Sequence, residues 1–221
     1  MVMHRWLERR QAPATYALVL CLVGIQCLVE FQSHEIWYRM GGLNRETFVA
    51  TKSLTLFSYG FLHGGWWHIL SNALMIVFLG ARIEWWWGAR KMLVIYFGGL
   101  LAGGIMHLLL SVDQQGLLVG SSAGAMSLLL AVTTSDPDAR FFPIRLRARN
   151  VGYGVIIASA LLMVLHPERK IPALAEAGQS LQSMLGQGVY RIGHACHAGG
   201  ALFGLLYVKL SLWTLVRKKR K

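Results

Sequence analysis

Six apolar stretches constrain this 221-residue chain before any other feature does. They fall at about 13–32, 63–83, 92–111, 117–134, 150–165 and 192–214, most of them near the roughly 20 helical residues that cross a bilayer core. The chain is 55% hydrophobic and 14% charged, with a mean hydropathy of +0.46. A soluble domain of this size is not so apolar. The sequence predicts an all-α membrane protein, a single compact domain over 1–221 with six transmembrane helices and short tails at about 1–12 and 215–221. No small-residue cleavage site follows the first apolar run, Ala12 to Phe31, which reads as a retained first span.

The net charge of +12 raises nucleic acid as a partner, and its distribution argues against that. Most of the basic residues gather in four clusters: Arg5, Arg9 and Arg10; Arg82, Arg90 and Lys91; Arg140, Arg145, Arg147 and Arg149; and Arg217 to Lys221. Basic residues concentrate on the cytoplasmic side of membrane proteins. With both termini inside, all four clusters fall on that side. The charge is a topology signal, and Arg217 to Lys221 are expected at anionic headgroups. Trp66 and Trp67 at one end of the second span, and Trp85 to Trp87 at the other, read as interfacial anchors. About 19 residues separate them, or roughly 28 Å of helix, close to one hydrocarbon thickness. Cys21, Cys27 and Cys196 lie in apolar surroundings, with neither a disulfide framework nor a zinc spacing.

Two outer connections stand out. Residues 33–62 are aromatic-rich and predict a partly helical, membrane-embedded loop. Residues 166–191 hold Pro167, Pro172, Gly178, Gly186 and Gly188 and predict a mobile loop.

Polar residues inside apolar spans are costly to insert and point to function. The second, fourth and sixth spans all run from outside to inside. They carry His68 and Asn72, Ser122, and His197, at depths of about 8–14 Å below the outer surface. A serine hydroxyl is a weak nucleophile until an imidazole takes its proton. Gly120 and Gly124 flank Ser122 and leave room for a substrate backbone or another helix. Gly200 and Gly204 share a face with His197 and form a GxxxG pair, which lets that helix pack tightly and brings His197 to Ser122. Backbone N–H groups at the start of the Ser122 helix, with His68 and Asn72 at i,i+4, supply donors for an oxyanion. Ser71, Ser121 and Ser127 read as helix glue, His63 and His194 as structural hydrogen-bonders, Cys196 as packing and Glu84 as an inner-surface acceptor. No acid in the sequence falls on the helices of Ser122 and His197 at their depth, so a Ser–His dyad is expected.

These residues resemble the rhomboid intramembrane serine proteases. His63, His68 and Asn72 match that family's HxxxxHxxxN second-helix motif. Glu84 and Gly88, followed by Tyr96 and Gly99, are similar to its second-to-third helix junction. Gly120-x-Ser122-x-Gly124 matches the nucleophile motif, and His197-x-Gly199-Gly200-xxx-Gly204 the final helix. The resemblance spans about residues 50–215. It implies a six-helix rhomboid-like bundle, Ser122 as nucleophile, His197 as general base and then acid, and His68 and Asn72 at the oxyanion. It implies transmembrane protein substrates cleaved near the outer leaflet, no cofactor and no metal, in a multi-pass protein of the bacterial inner membrane. Two positions depart from the family pattern: Leu54 and Thr55 replace a Trp-Arg pair, and Met126 replaces an aromatic that stacks on the catalytic histidine. A thioether still packs against an imidazole, though it aligns the ring less firmly.

Two other readings compete. One is an inactive rhomboid-like protein that binds membrane clients. The other is a metal site or transporter built on His63, His68, His194 and His197, against which stands the absence of any HExxH motif.

Overall fold

The computed structural model describes residues 11–32, 34–51, 53–112, 116–141 and 145–218. Arg5, Arg9, Arg10 and Asp113 lie outside these residues, and so do the side chains of 215–221.

Each predicted apolar stretch contains a helix. The first is α1 (Pro13–Phe31), and the short helices α2 (His34–Gly41), α3 (Arg45–Ala50) and α4 (Thr55–Ser58) follow it. A 3-10 turn at Tyr59–Phe61 leads to α5 (Trp66–Met75), which continues through a π turn at Ile76–Gly80 into α6 (Ala81–Trp87). Then come α7 (Ala89–Leu110), α8 (Ser122–Ser135), α9 (Ala148–Val164), α10 (Pro172–Leu185) and α11 (His194–Lys218). Between α8 and α9 a small antiparallel hairpin pairs β1 (Arg140–Phe141) with β2 (Leu146–Arg147).

Among the described residues, four helical stretches are long and apolar enough to cross a membrane: Pro13–Phe31, Trp66–Trp87, Ala89–Leu110 and His194–Thr214. The apolar helices α8 and α9 are shorter, at 14 and 17 residues. Large apolar side chains such as Leu20, Phe78, Ile157 and Leu210 face outward, whereas Thr15, Gln26, Asn72 and Ser127 are buried. Polar groups therefore gather inside while apolar ones face the surroundings, as a lipid solvent requires.

Helix α8 runs through the centre. Ala123–Ala125 and Ser127–Thr133 are all buried, and a helix enclosed on every side is apolar all round. Glycines let its neighbours close in. A Cβ at Gly103 of α7 would fall 2.5 Å from Ala123 Cβ, and one at Gly200 of α11 would fall 2.9 Å from Ala123 Cα. One turn on, a Cβ at Gly204 would lie 2.9 Å from Ser127 Cα. The GxxxG pair thus packs backbone against backbone, as small residues do in membrane bundles. Ser127 Oγ adds a hydrogen bond to the Ile95 carbonyl of α7 at 2.8 Å.

Glu84 ties two helices together. Its carboxylate accepts from the Ala14 amide (3.1 Å), the Thr15 amide (2.8 Å) and the Thr15 hydroxyl (2.7 Å). Helix α1 has no side-chain cap of its own and begins with Pro13. An anion from α6 therefore satisfies its first-turn amides and sits at the positive end of its dipole. Four residues on, Gly88 (φ +84°) ends α6 and starts α7, a backbone conformation that favours glycine. Charge-assisted hydrogen bonds contribute about 1.5–3 kcal/mol each. Glu84→Ala is therefore expected to lower the thermal unfolding midpoint in detergent by several degrees, and an unchanged midpoint would contradict the capping role.

The structure departs from the sequence reading in two places. The stretch expected to begin a helix at 117 is non-helical through Ser121, and α8 starts at Ser122. The cause is pairing: Leu118 and Leu43 exchange backbone hydrogen bonds of 2.9 Å each. The region 166–191, expected as a loop, contains the 14-residue helix α10. Pro172 stands at its first turn and Gly186 (φ +88°) just past its end, the positions where these residues bound a helix and do not break one. The 33–62 connection is partly helical, as expected.

Candidate active site

Ser122 is the first residue of α8, at the mouth of the central helix. The segment before it is fixed at two points, by the Leu43–Leu118 pairing and by the Gly120 amide, which donates to the Tyr59 carbonyl at 2.9 Å. Gly120 takes φ +124°. A first-turn position leaves nearby backbone amides without helical acceptors and places them beside the Ser122 hydroxyl.

His197, in the first turn of α11, meets Ser122 across the α8–α11 contact. Its Nε2 lies 2.8 Å from Ser122 Oγ. Among the described residues no carboxylate pairs with His197. Glu30, the acid nearest an outer position within an apolar run, is engaged elsewhere, by Gln26 Nε2 at 2.9 Å and His34 at 3.2 Å. Asp113 lies outside the described residues.

His68 and Asn72 approach from α5. A Cβ at Gly120 would lie 2.7 Å from His68 Nε2 and 3.7 Å from Asn72 Nδ2, so both side chains cover the glycine two residues before Ser122. His68 Nδ1 accepts from the Gly64 amide at 3.4 Å, which in a neutral ring leaves Nε2 as the N–H donor. Asn72 is 4% exposed and its Nδ2 has no hydrogen-bond partner among the described residues. A buried donor left unmatched is costly, and such donors cluster where a function needs them.

These side chains share a cavity of about 590 Å³. Ser122, His197, His68 and Asn72 all line it, and Met126 stands on its wall. Gly124 points the other way, where a Cβ would lie 2.5 Å from the Tyr96 ring. The structure thus brings together the four side chains expected from the sequence. Among the described residues no group of three His, Cys, Asp or Glu side chains converges as metal ligands. His194 Nε2 donates to the Val189 carbonyl at 2.7 Å, the structural bond expected of it. Cys196 is packed in the core.

One arrangement was not legible in the sequence. Ser121, read as helix glue, forms a second Ser–His pair, with its Oγ 3.0 Å from His63 Nε2. The two pairs differ in access. Ser121 is fully buried and absent from the cavity wall, whereas Ser122 faces the cavity. His63 and Ser121 are 58 residues apart, and no spacing rule joins a loop histidine to the turn before α8.

The family model for the rhomboid domain matches residues 50–214. The chain belongs to the rhomboid family. Rhomboids are in general intramembrane serine proteases, and the apolar helices make this rhomboid an integral membrane protein. The match includes every residue of the two Ser–His pairs and both α5 side chains. No curated protein matches the chain. The Trp-Arg departure of this rhomboid falls at the start of α4, where Leu54 is exposed and Thr55 is buried.

Proposed function

We propose that this rhomboid is an active intramembrane serine endopeptidase working through a Ser122–His197 dyad. The observation that carries the reading is the 2.8 Å approach of His197 Nε2 to a cavity-facing Ser122 hydroxyl. Ser122 Oγ attacks the scissile carbonyl carbon while His197 Nε2 takes its proton. The carbonyl oxygen becomes an oxyanion that accepts from His68 Nε2–H, Asn72 Nδ2–H and backbone amides at the start of α8. Collapse breaks the C–N bond, and His197 returns the proton to the leaving amine. A water molecule, deprotonated by His197, then attacks the acyl ester and regenerates Ser122. No cofactor enters these steps. Packing of α11 against α8 orients His197, where soluble triads use an aspartate.

The substrates are transmembrane proteins cut near the outer leaflet, since Ser122, His197 and His68 lie near the outer ends of their helices in a six-span topology with both termini cytoplasmic. The single domain extends over 1–221, and the cell compartment is the bacterial inner membrane. The clusters Arg82, Arg90, Lys91 and Arg140 to Arg149 support this orientation through the positive-inside bias.

The α5 side chains give the test. His68→Ala and Asn72→Ala are expected to lower kcat with little change in KM, because they act on charge that exists only in the transition state. One oxyanion donor is worth on the order of 10²–10³ in rate. A change confined to KM, measured on a fluorogenic transmembrane peptide in liposomes, would assign both residues to substrate positioning.

A further inference from the structure

Ser121 immediately precedes the proposed nucleophile, is fully buried and lines no part of the cavity. Its amide and its hydroxyl engage one atom: His63 Nε2 lies 3.3 Å from the Ser121 amide and 3.0 Å from its hydroxyl. The amide can only donate, so Nε2 is an acceptor, the Ser121 hydroxyl donates as well, and the neutral ring carries its proton on Nδ1. Two donors on one nitrogen fix the tautomer and the plane of a fully buried imidazole.

That plane has a consequence for α5. The His63 ring stands edge-on to the His68 ring, with centroids 5.2 Å apart and an interplanar angle of 78°. His68 in turn covers Gly120. The residues before Ser122 are held from two directions: His63 binds Ser121, and His68 lies against Gly120. Moving the His63 ring removes the surface on which His68 rests.

We propose that Ser121 is a positioning residue: by holding His63 it sets the orientation in which His68 presents Nε2–H to the oxyanion. The proposal rests on the reading of His68 as an oxyanion donor. Ser121→Ala keeps the amide bond to His63 and removes the hydroxyl, so the segment keeps its path.

The test is a double-mutant cycle on the full-length protein in liposomes, with a fluorogenic transmembrane peptide. One neutral hydrogen bond is worth about 1 kcal/mol, so Ser121→Ala is expected to lower kcat about fivefold with KM unchanged. In the His68→Ala background the same change is expected to have no further effect, because interacting residues are non-additive. An equal loss in both backgrounds would overturn the proposal, as would an unchanged kcat or a loss carried by KM. If the wild-type protein did not cleave the peptide while remaining folded, the proteolytic reading would fail, which is a separate outcome from additivity in the cycle.

Discussion

Ser122→Ala and His197→Ala are each expected to reduce cleavage of a transmembrane substrate to the assay floor while the protein stays folded in the membrane. In a soluble serine protease, removing the nucleophile or its histidine costs about 10⁶-fold in kcat, and removing both costs little more. The same non-additivity is expected here, because the two side chains form one unit at 2.8 Å. Glu30→Gln is the companion variant. Glu30 is held by Gln26 and His34 at the end of α1, so its replacement is expected to leave kcat within a few-fold. Asp113→Asn is expected to behave the same way. A loss on the order of 10³-fold or more from either would make the site a triad, since an orienting carboxylate is worth about 10⁴ in a soluble one. Full activity in Ser122→Ala, with loss in Ser121→Ala, would exchange the roles of the two serines.

Gly200→Val and Gly204→Val are expected to have the next largest effect, though neither residue lines the cavity. The first Cβ would overlap the Ala123 backbone and the second the Ser127 backbone. Neither backbone can yield without moving α8 from α11, and that contact is what brings His197 to Ser122. A displacement of about 1 Å at a reacting centre can cost on the order of 10² in rate. Over-packing also costs about 1–3 kcal/mol of stability. A lower unfolding midpoint and a loss of kcat of about 100-fold are therefore expected together. Gly154→Val on α9 is the control, because a Cβ there meets nothing within 4 Å. Normal kcat in Gly204→Val would mean that helix spacing does not set the dyad.

These two predictions draw on features that a sequence can carry. The α8–α11 approach was legible because GxxxG writes close packing into i,i+4 spacing, and Gly204 does meet α8 at its backbone. The clustering of Ser122, His197, His68 and Asn72 was legible because lipid makes each such side chain costly, so their common depth carried information. Other features have no local signature. Glu84 reaches the amides of α1 across 69 and 70 residues, and the pairing of Leu43 with Leu118 delays the start of α8 to Ser122. Helix α10 is hidden in the sequence for a different reason. Pro172 and Gly186 carry the same sequence signature as loop breakers, whereas one opens the helix and the other closes it. Ser121 shows the limit most clearly, since its role depends on a histidine presented by the loop before α5.

Ser122 is proposed as a nucleophile activated by His197 inside an apolar bundle. Fluorophosphonate labelling of the protein in liposomes, read by peptide mass mapping, tests it most directly. The expected result is one covalent adduct, on Ser122, in the wild-type protein and none in His197→Ala. An adduct on Ser121 with Ser122 unmodified, or equal labelling of Ser122 with and without His197, would contradict the account.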